Sequence, residues 1–179
     1  MSGSTPVWQE EPEEEAARVR SAVALAEFAL TDPRVHSDQR KRLLNEAIWF
    51  VTERGSVTRK YLLRYRSEAA LEIQGRMSAT AAAKLLHHEH VHPRKELVAR
   101  LLAPGADVAA ILTGADACVV TRAEHELLTA QQNKFGWARY TAAGITVIDL
   151  ATGAPLDLPG RRQEECTGAG AAAAGHPAP

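Results

Sequence analysis

Four histidines fall within six residues, at His87, His88, His90 and His92, and Glu89 lies among them. Imidazole is the commonest metal ligand and titrates near neutral pH. The segment His87-His88-Glu89-His90-Val91-His92-Pro93 therefore offers ligands, a base, or both. Two backbone conformations give two chemistries. On a helix, His88-Glu89-His90-Val91-His92 fits the H-E-x-x-H pattern, in which two histidines one turn apart hold zinc and the acid is the base. Pro93 works against a helix through His92. On a strand, side chains alternate. His88, His90 and His92 then share one face, and Glu89 and Val91 the other. A further acid–histidine pair, Glu124-His125, follows about thirty residues on.

A second group of residues suits an anion. Arg54, Arg59, Lys60, Arg64 and Arg66 are interleaved with Tyr61 and Tyr65, a mixture that can pair phosphates and stack on bases. The alternative is a solvated basic face with two core tyrosines. Trp137, Arg139 and Tyr140 follow Lys134-Phe135-Gly136. Arg139 is a candidate clamp for a phosphate or a carboxylate, and the aromatics suit a core. Glu89 itself is a candidate ion-pair partner of Arg94 or Arg139. Cys118 reads as a small buried hydrophobe rather than a nucleophile.

The elements that must position these residues follow from periodicity and punctuation. Glu13, Glu14 and Glu15 suit the first turn of a helix, and Val19, Ala22, Val23, Ala26 and Leu30 continue its apolar stripe. Asp32-Pro33 ends it. Ser37 reads as the cap of a second helix with Leu43, Leu44, Ala47, Ile48 and Val51 on one stripe and Gly55 as its stop. The two could pair as a hairpin. Thr58–Tyr65 suits a strand or a buried helix. Ser67 could cap a short helix, Glu68–Ile73, that Gly75 breaks. Arg94–Ala103 and Asp107–Leu112 read as helices. Ala117–Val120 is an apolar, β-branched strand. Thr121 and Glu124 form the pattern of a capping box for a helix over Arg122–Ala130. Trp137–Ala142 reads as a short helix, and Ile145, Val147 and Ile148 as a last strand. The fold expected is α+β: an N-terminal helical pair plus a small sheet of two or three strands with packed helices, over residues 12–150. Residues 1–11 read as a disordered acidic leader and 151–179 as a low-complexity tail.

Strand, connection, strand and helix in this order resemble a known unit. Glu89-His90-Val91-His92-Pro93 resembles the Asp-His-Ile-x-Pro opening of HNH endonucleases, the His-Me finger class with a ββα-metal motif. Cys118-Val119-Val120-Thr121-Arg122-Ala123-Glu124-His125 resembles the second strand and helix of that motif. The resemblance covers about forty residues. It implies His90 as general base, Glu89 and His125 as ligands of one divalent cation (Mg, Mn or Zn), and Asp116 roughly where the family has its central Asn. His88 would be an auxiliary ligand or a phosphate contact. Arg59, Lys60, Arg64, Arg66 and Arg139 would hold nucleic acid. Segments such as His-Glu-His-Val and Gly-Trp-x-Arg-Tyr also resemble bacterial proteins of similar size. Two further readings stay open. One is a metal-free module that binds nucleic acid or protein through its basic surface, and the other is the helical zinc hydrolase.

Composition bounds these readings. The chain has 179 residues and a formal net charge of −1, which conceals an asymmetry. Residues 1–32 carry −5, residues 33–100 carry +7 and residues 101–179 carry −3. The middle third is therefore the part suited to an anionic partner. Two cysteines cannot build a disulfide framework or a four-thiolate zinc site. No run of about 18 apolar residues exists, which argues against a membrane span. With an acidic, non-signal leader, a cytoplasmic location is expected. No phosphate-binding glycine loop and no G-x-S-x-G elbow is present. A homodimer or larger assembly is compatible with all of this.

Overall fold

The computed structural model describes residues 8, 11–53, 63–131 and 133–159. Among them are eight helices and five strands, so the α+β expectation holds. Most of the acidic leader, and everything from residue 160, lies outside the described residues.

Helix α1 (Pro12–Thr31) starts with proline in its first turn and three glutamates close behind. Proline lacks an N–H that would be orphaned there, and the acids favour the positive helix end. Helix α2 (Ser37–Thr52) is capped one residue earlier than Ser37 suggests, by His36. The two helices pack through alanines: Ala22, Ala26 and Ala29 of α1 and Ala47 of α2 are fully buried beside Leu44 and Ile48. Helices α5 (Arg94–Leu101) and α6 (Val108–Thr113) close this first core with Leu97, Leu101 and Leu112. Truncating one of these leucines to alanine should cost about 2–5 kcal/mol.

The sheet is wider than the sequence suggests. Its order is β2-β3-β1-β4-β5. Strand β1 (Tyr65–Ser67) runs parallel to β3 (Ala117–Thr121), and every other pairing is antiparallel. Strand β2 (Leu86–His90) is an edge strand paired with β3 over its whole length. Strand β4 (Val147–Asp149) separates β1 from the two-residue β5 (Ala154–Pro155). Strand β5 falls in a stretch expected to be tail. A two-residue strand with a proline carries no alternation. Its place depends on pairing back onto β4: Leu156 N–H donates to the Val147 carbonyl at 2.8 Å, and Leu158 is buried.

Helices cover the sheet. Ser67 caps α3 (Glu68–Arg76), which runs through Gly75 rather than stopping there. Helix α4 (Ala79–Leu85), capped by Ser78, is an alanine-rich element that the periodicity does not reveal. Helix α7 (Arg122–Ala130) follows β3 directly and has both hydrogen bonds of the expected capping box. Helix α8 (Ala138–Ala142) brings Arg139 and Tyr140 into the interior. Gly136 adopts a φ of +58° just before α8, and a Cβ there would meet His92 Cε1 at 2.9 Å. A side chain at that position would be strained by the backbone and would push the His92 ring aside.

Candidate metal centre

Cross-strand register fixes which side chains share a face. His87 sits opposite Val120 and Glu89 opposite Cys118, whereas His88 and His90 sit opposite Val119 and Ala117. Directly paired residues project to the same side. Val120 and Cys118 belong to the core cluster that contains Leu128 of α7 and Tyr140 of α8. Ala117 and Val119 belong to the opposite cluster, with Leu86 and Ala82. His87 and Glu89 therefore face α7 and α8, and His88 and His90 face away.

Helix α7 supplies the third residue. Its capping box sets the entry angle: Glu124 accepts from the Thr121 N–H at 2.8 Å, and its backbone N–H donates to Thr121 Oγ1 at 3.1 Å. Ser67 Oγ also donates to Glu124, at 2.6 Å, which ties α7 to β1. One residue on, His125 Nδ1 lies 2.7 Å from Glu89 Oε2. His87 stacks on His125 with ring centroids 3.9 Å apart. One ligand atom from each of His87, Glu89 and His125 lies within 4.8 Å of the others, so this trio could hold a metal ion. Metal–ligand bonds near 2.0–2.2 Å place neighbouring ligand atoms of a tetrahedral shell roughly 3.3 Å apart. Two imidazoles and one carboxylate suit zinc and other borderline first-row ions better than calcium.

Glu89 is held from its other side. Arg139 Nη2 donates to Glu89 Oε1 at 3.0 Å, and both side chains are buried. Of the two partners suggested for Arg139, a phosphate or a carboxylate, the structure shows a carboxylate, that of Glu89.

The expected base lies elsewhere. His90 Nε2 is 3.1 Å from Thr52 Oγ1, and its ring meets Trp49 edge-on at 4.9 Å. Thr52 Oγ1 already donates to the Ile48 carbonyl at 2.9 Å. A hydroxyl has one proton, so His90 Nε2–H is the donor in this pair. Burial first, then the neighbouring His88, Arg94 and His87, lowers the His90 pKa to about 3. His90 is thus a neutral ring packed under α2, on the face away from Glu89 and His125. His88 is buried on that face too, beside Trp49. The helical zinc geometry is not formed, because His88 lies in a strand and Pro93 caps the next helix.

The expected nucleic-acid residues are dispersed. Arg59 and Lys60, with Arg54 and Tyr61, lie outside the described residues. Arg64 pairs with both Asp149 oxygens, Nε to Oδ1 at 2.7 Å and Nη2 to Oδ2 at 2.6 Å. Arg66 is 1% exposed and donates to Gln74 on α3. Burial lowers its pKa to about 10. Asp116 precedes β3, and burial raises its carboxyl against the opposing pull of Arg64 and His92. Cys118 is fully buried, and burial raises its thiol well above its usual range.

His87 is one of the four clustered histidines, but the sequence alone assigns it no role of its own. The alternation that separates Glu89 from His88 extends one residue back and places His87 beside Glu89. No family model, curated protein or solved structure matches the chain. No helix among the described residues is long and apolar enough to cross a membrane.

Proposed function

We propose that the chain is a divalent-metal-dependent hydrolase that cleaves phosphodiester bonds of nucleic acid, with the ion held by His87, Glu89 and His125. The observation that carries this reading is the convergence of those three side chains from β2 and α7. The His125 side chain is 37% exposed, so the trio is open to solvent and to a substrate. A bound divalent ion there supplies a polarised water and offsets charge developing on the phosphate. The phosphodiester as substrate rests on the resemblance of the β2, β3 and α7 segments to HNH endonucleases. In this reading His90 supports the strand from behind and does not take the proton from water.

The test uses metal-stripped protein with supercoiled plasmid, linear duplex, single-stranded DNA and RNA. Each is incubated with Mg²⁺, Mn²⁺, Zn²⁺ or EDTA. Cleavage is expected with at least one metal and none with EDTA. It should be lost in His125→Ala and kept in His88→Ala. A chain that binds metal but cleaves none of these substrates overturns the hydrolase reading.

A further inference from the structure

Arg139 makes three contacts from one buried guanidinium. Nη2 donates to Glu89 Oε1 at 3.0 Å and to the Leu128 carbonyl at 3.2 Å, and Nη1 reaches the His90 carbonyl at 3.4 Å. His90 belongs to β2 and Leu128 to α7. These are the two elements that bring Glu89 and His125 together. The planar fork of arginine fixes the directions of its donors, which an ammonium does not. The guanidinium therefore spans strand and helix and fixes one carboxylate oxygen between them.

We infer that Arg139 is a positioning residue for the metal centre: it holds Glu89 Oε1 and leaves Glu89 a single oxygen, Oε2, to share an ion with His87 and His125. This inference rests on the metal reading above. A free carboxylate can chelate through both oxygens, as in calcium sites with six to eight ligands. A carboxylate with one oxygen turned into a hydrogen bond with arginine presents its other oxygen to an ion. That keeps the number of protein donors at three and leaves room in a small shell for water. The same contact keeps Oε2 turned toward His125 Nδ1, at 2.7 Å. Partners of this kind behind a ligand commonly set metal affinity.

The experiment titrates Co²⁺ into the metal-free full chain and reads both the dissociation constant and the visible absorption band. The variants are Arg139→Gln and Arg139→Lys, and far-UV circular dichroism monitors folding. Wild type should give an intense band characteristic of low coordination number. In Arg139→Gln, Oε1 is released, so the band should weaken as Glu89 chelates through two oxygens. Affinity should also fall about tenfold or more. Arg139→Lys keeps a cation beside Oε1 but cannot reach both carbonyls, so it should retain the band while binding more weakly. If Arg139→Gln does not fold, the lysine variant carries the test alone. A variant that folds and matches wild type in both readouts overturns the inference and leaves the metal reading standing. No Co²⁺ binding by wild type overturns both.

Discussion

Glu89 Oε2 and His125 Nδ1 meet at 2.7 Å although the two residues are 36 positions apart. One comes from an edge strand and the other from the first turns of a capped helix. Their burial differs: the Glu89 side chain is 11% exposed and that of His125 is 37% exposed. Glu89 also faces a buried arginine, whereas His125 is partly open to solvent.

That difference predicts unequal costs. Glu89→Ala leaves the Arg139 guanidinium buried without its anion, and breaking such a pair costs about 3–5 kcal/mol. His125→Ala removes a half-exposed ring and should cost about 1 kcal/mol or less. Both substitutions should abolish metal binding. Urea midpoints in EDTA give the first comparison, and calorimetric titration with Zn²⁺ gives the second. Equal destabilisation by the two variants would contradict the buried-pair account.

Strand alternation yields a second prediction. His87→Ala should weaken metal binding by about tenfold or more, as loss of a ligand does at least as much as loss of its supporting partner. His88→Ala should leave affinity unchanged and lower stability instead, because His88 is buried beside Trp49. Metal titration of the two single variants decides it. Loss of affinity in His88→Ala alone would assign the ligand to the other face of β2.

Local signals in the sequence mark some of these elements and leave others unmarked. Helix caps at Ser67 and Thr121 and the strand at Ala117–Val120 were legible because each depends on neighbours within a few residues. The pairing of β1 between β3 and β4 was not, because three residues carry no period and their partners are far along the chain. The site was half legible. Residue types and alternation marked Glu89, and the capping box placed His125 on the helix. The Glu89–Arg139 pair is among the ion pairs the sequence suggests, but the partners of Arg64 and Arg66 were not legible. A basic residue has the same letter whether it faces a phosphate or, like Arg64, the carboxylate of a residue 85 positions away.

His90 separates support from chemistry. His90→Ala removes the hydrogen bond to Thr52 and the edge contact with Trp49. The expected loss is about 2 kcal/mol of stability, from one buried hydrogen bond and the vacated ring volume. Zinc affinity should stay at the wild-type value, since the ring projects away from the trio. At a temperature where the variant is folded, any metal-dependent cleavage should persist. A folded His90→Ala chain that binds metal but has lost all cleavage would restore His90 as the base.

Asp149 sets a pH dependence at the far side of the sheet. Its carboxylate accepts from Arg64 through both oxygens and from the Ala151 N–H at 2.9 Å. The Arg64 bond, first among the causes, lowers its pKa below the ordinary carboxylate value despite partial desolvation. The folded chain thus holds the ionised form more tightly than the unfolded chain, whose carboxyl titrates near 3.9. The stability this contributes is fully present above about pH 4 and is lost as pH falls through the lower, folded value. Arg64 is 45% exposed, so solvent screening limits the contribution to about 1 kcal/mol. Asp149→Asn should therefore be less stable than wild type by about that amount from pH 5 to 7. Below pH 4 the difference should shrink toward zero, because wild type then also lacks the charge. Urea midpoints measured for both chains from pH 2 to 7 check this, and a difference that grew on acidification would show that the sign, and with it the role of Arg64, is mistaken.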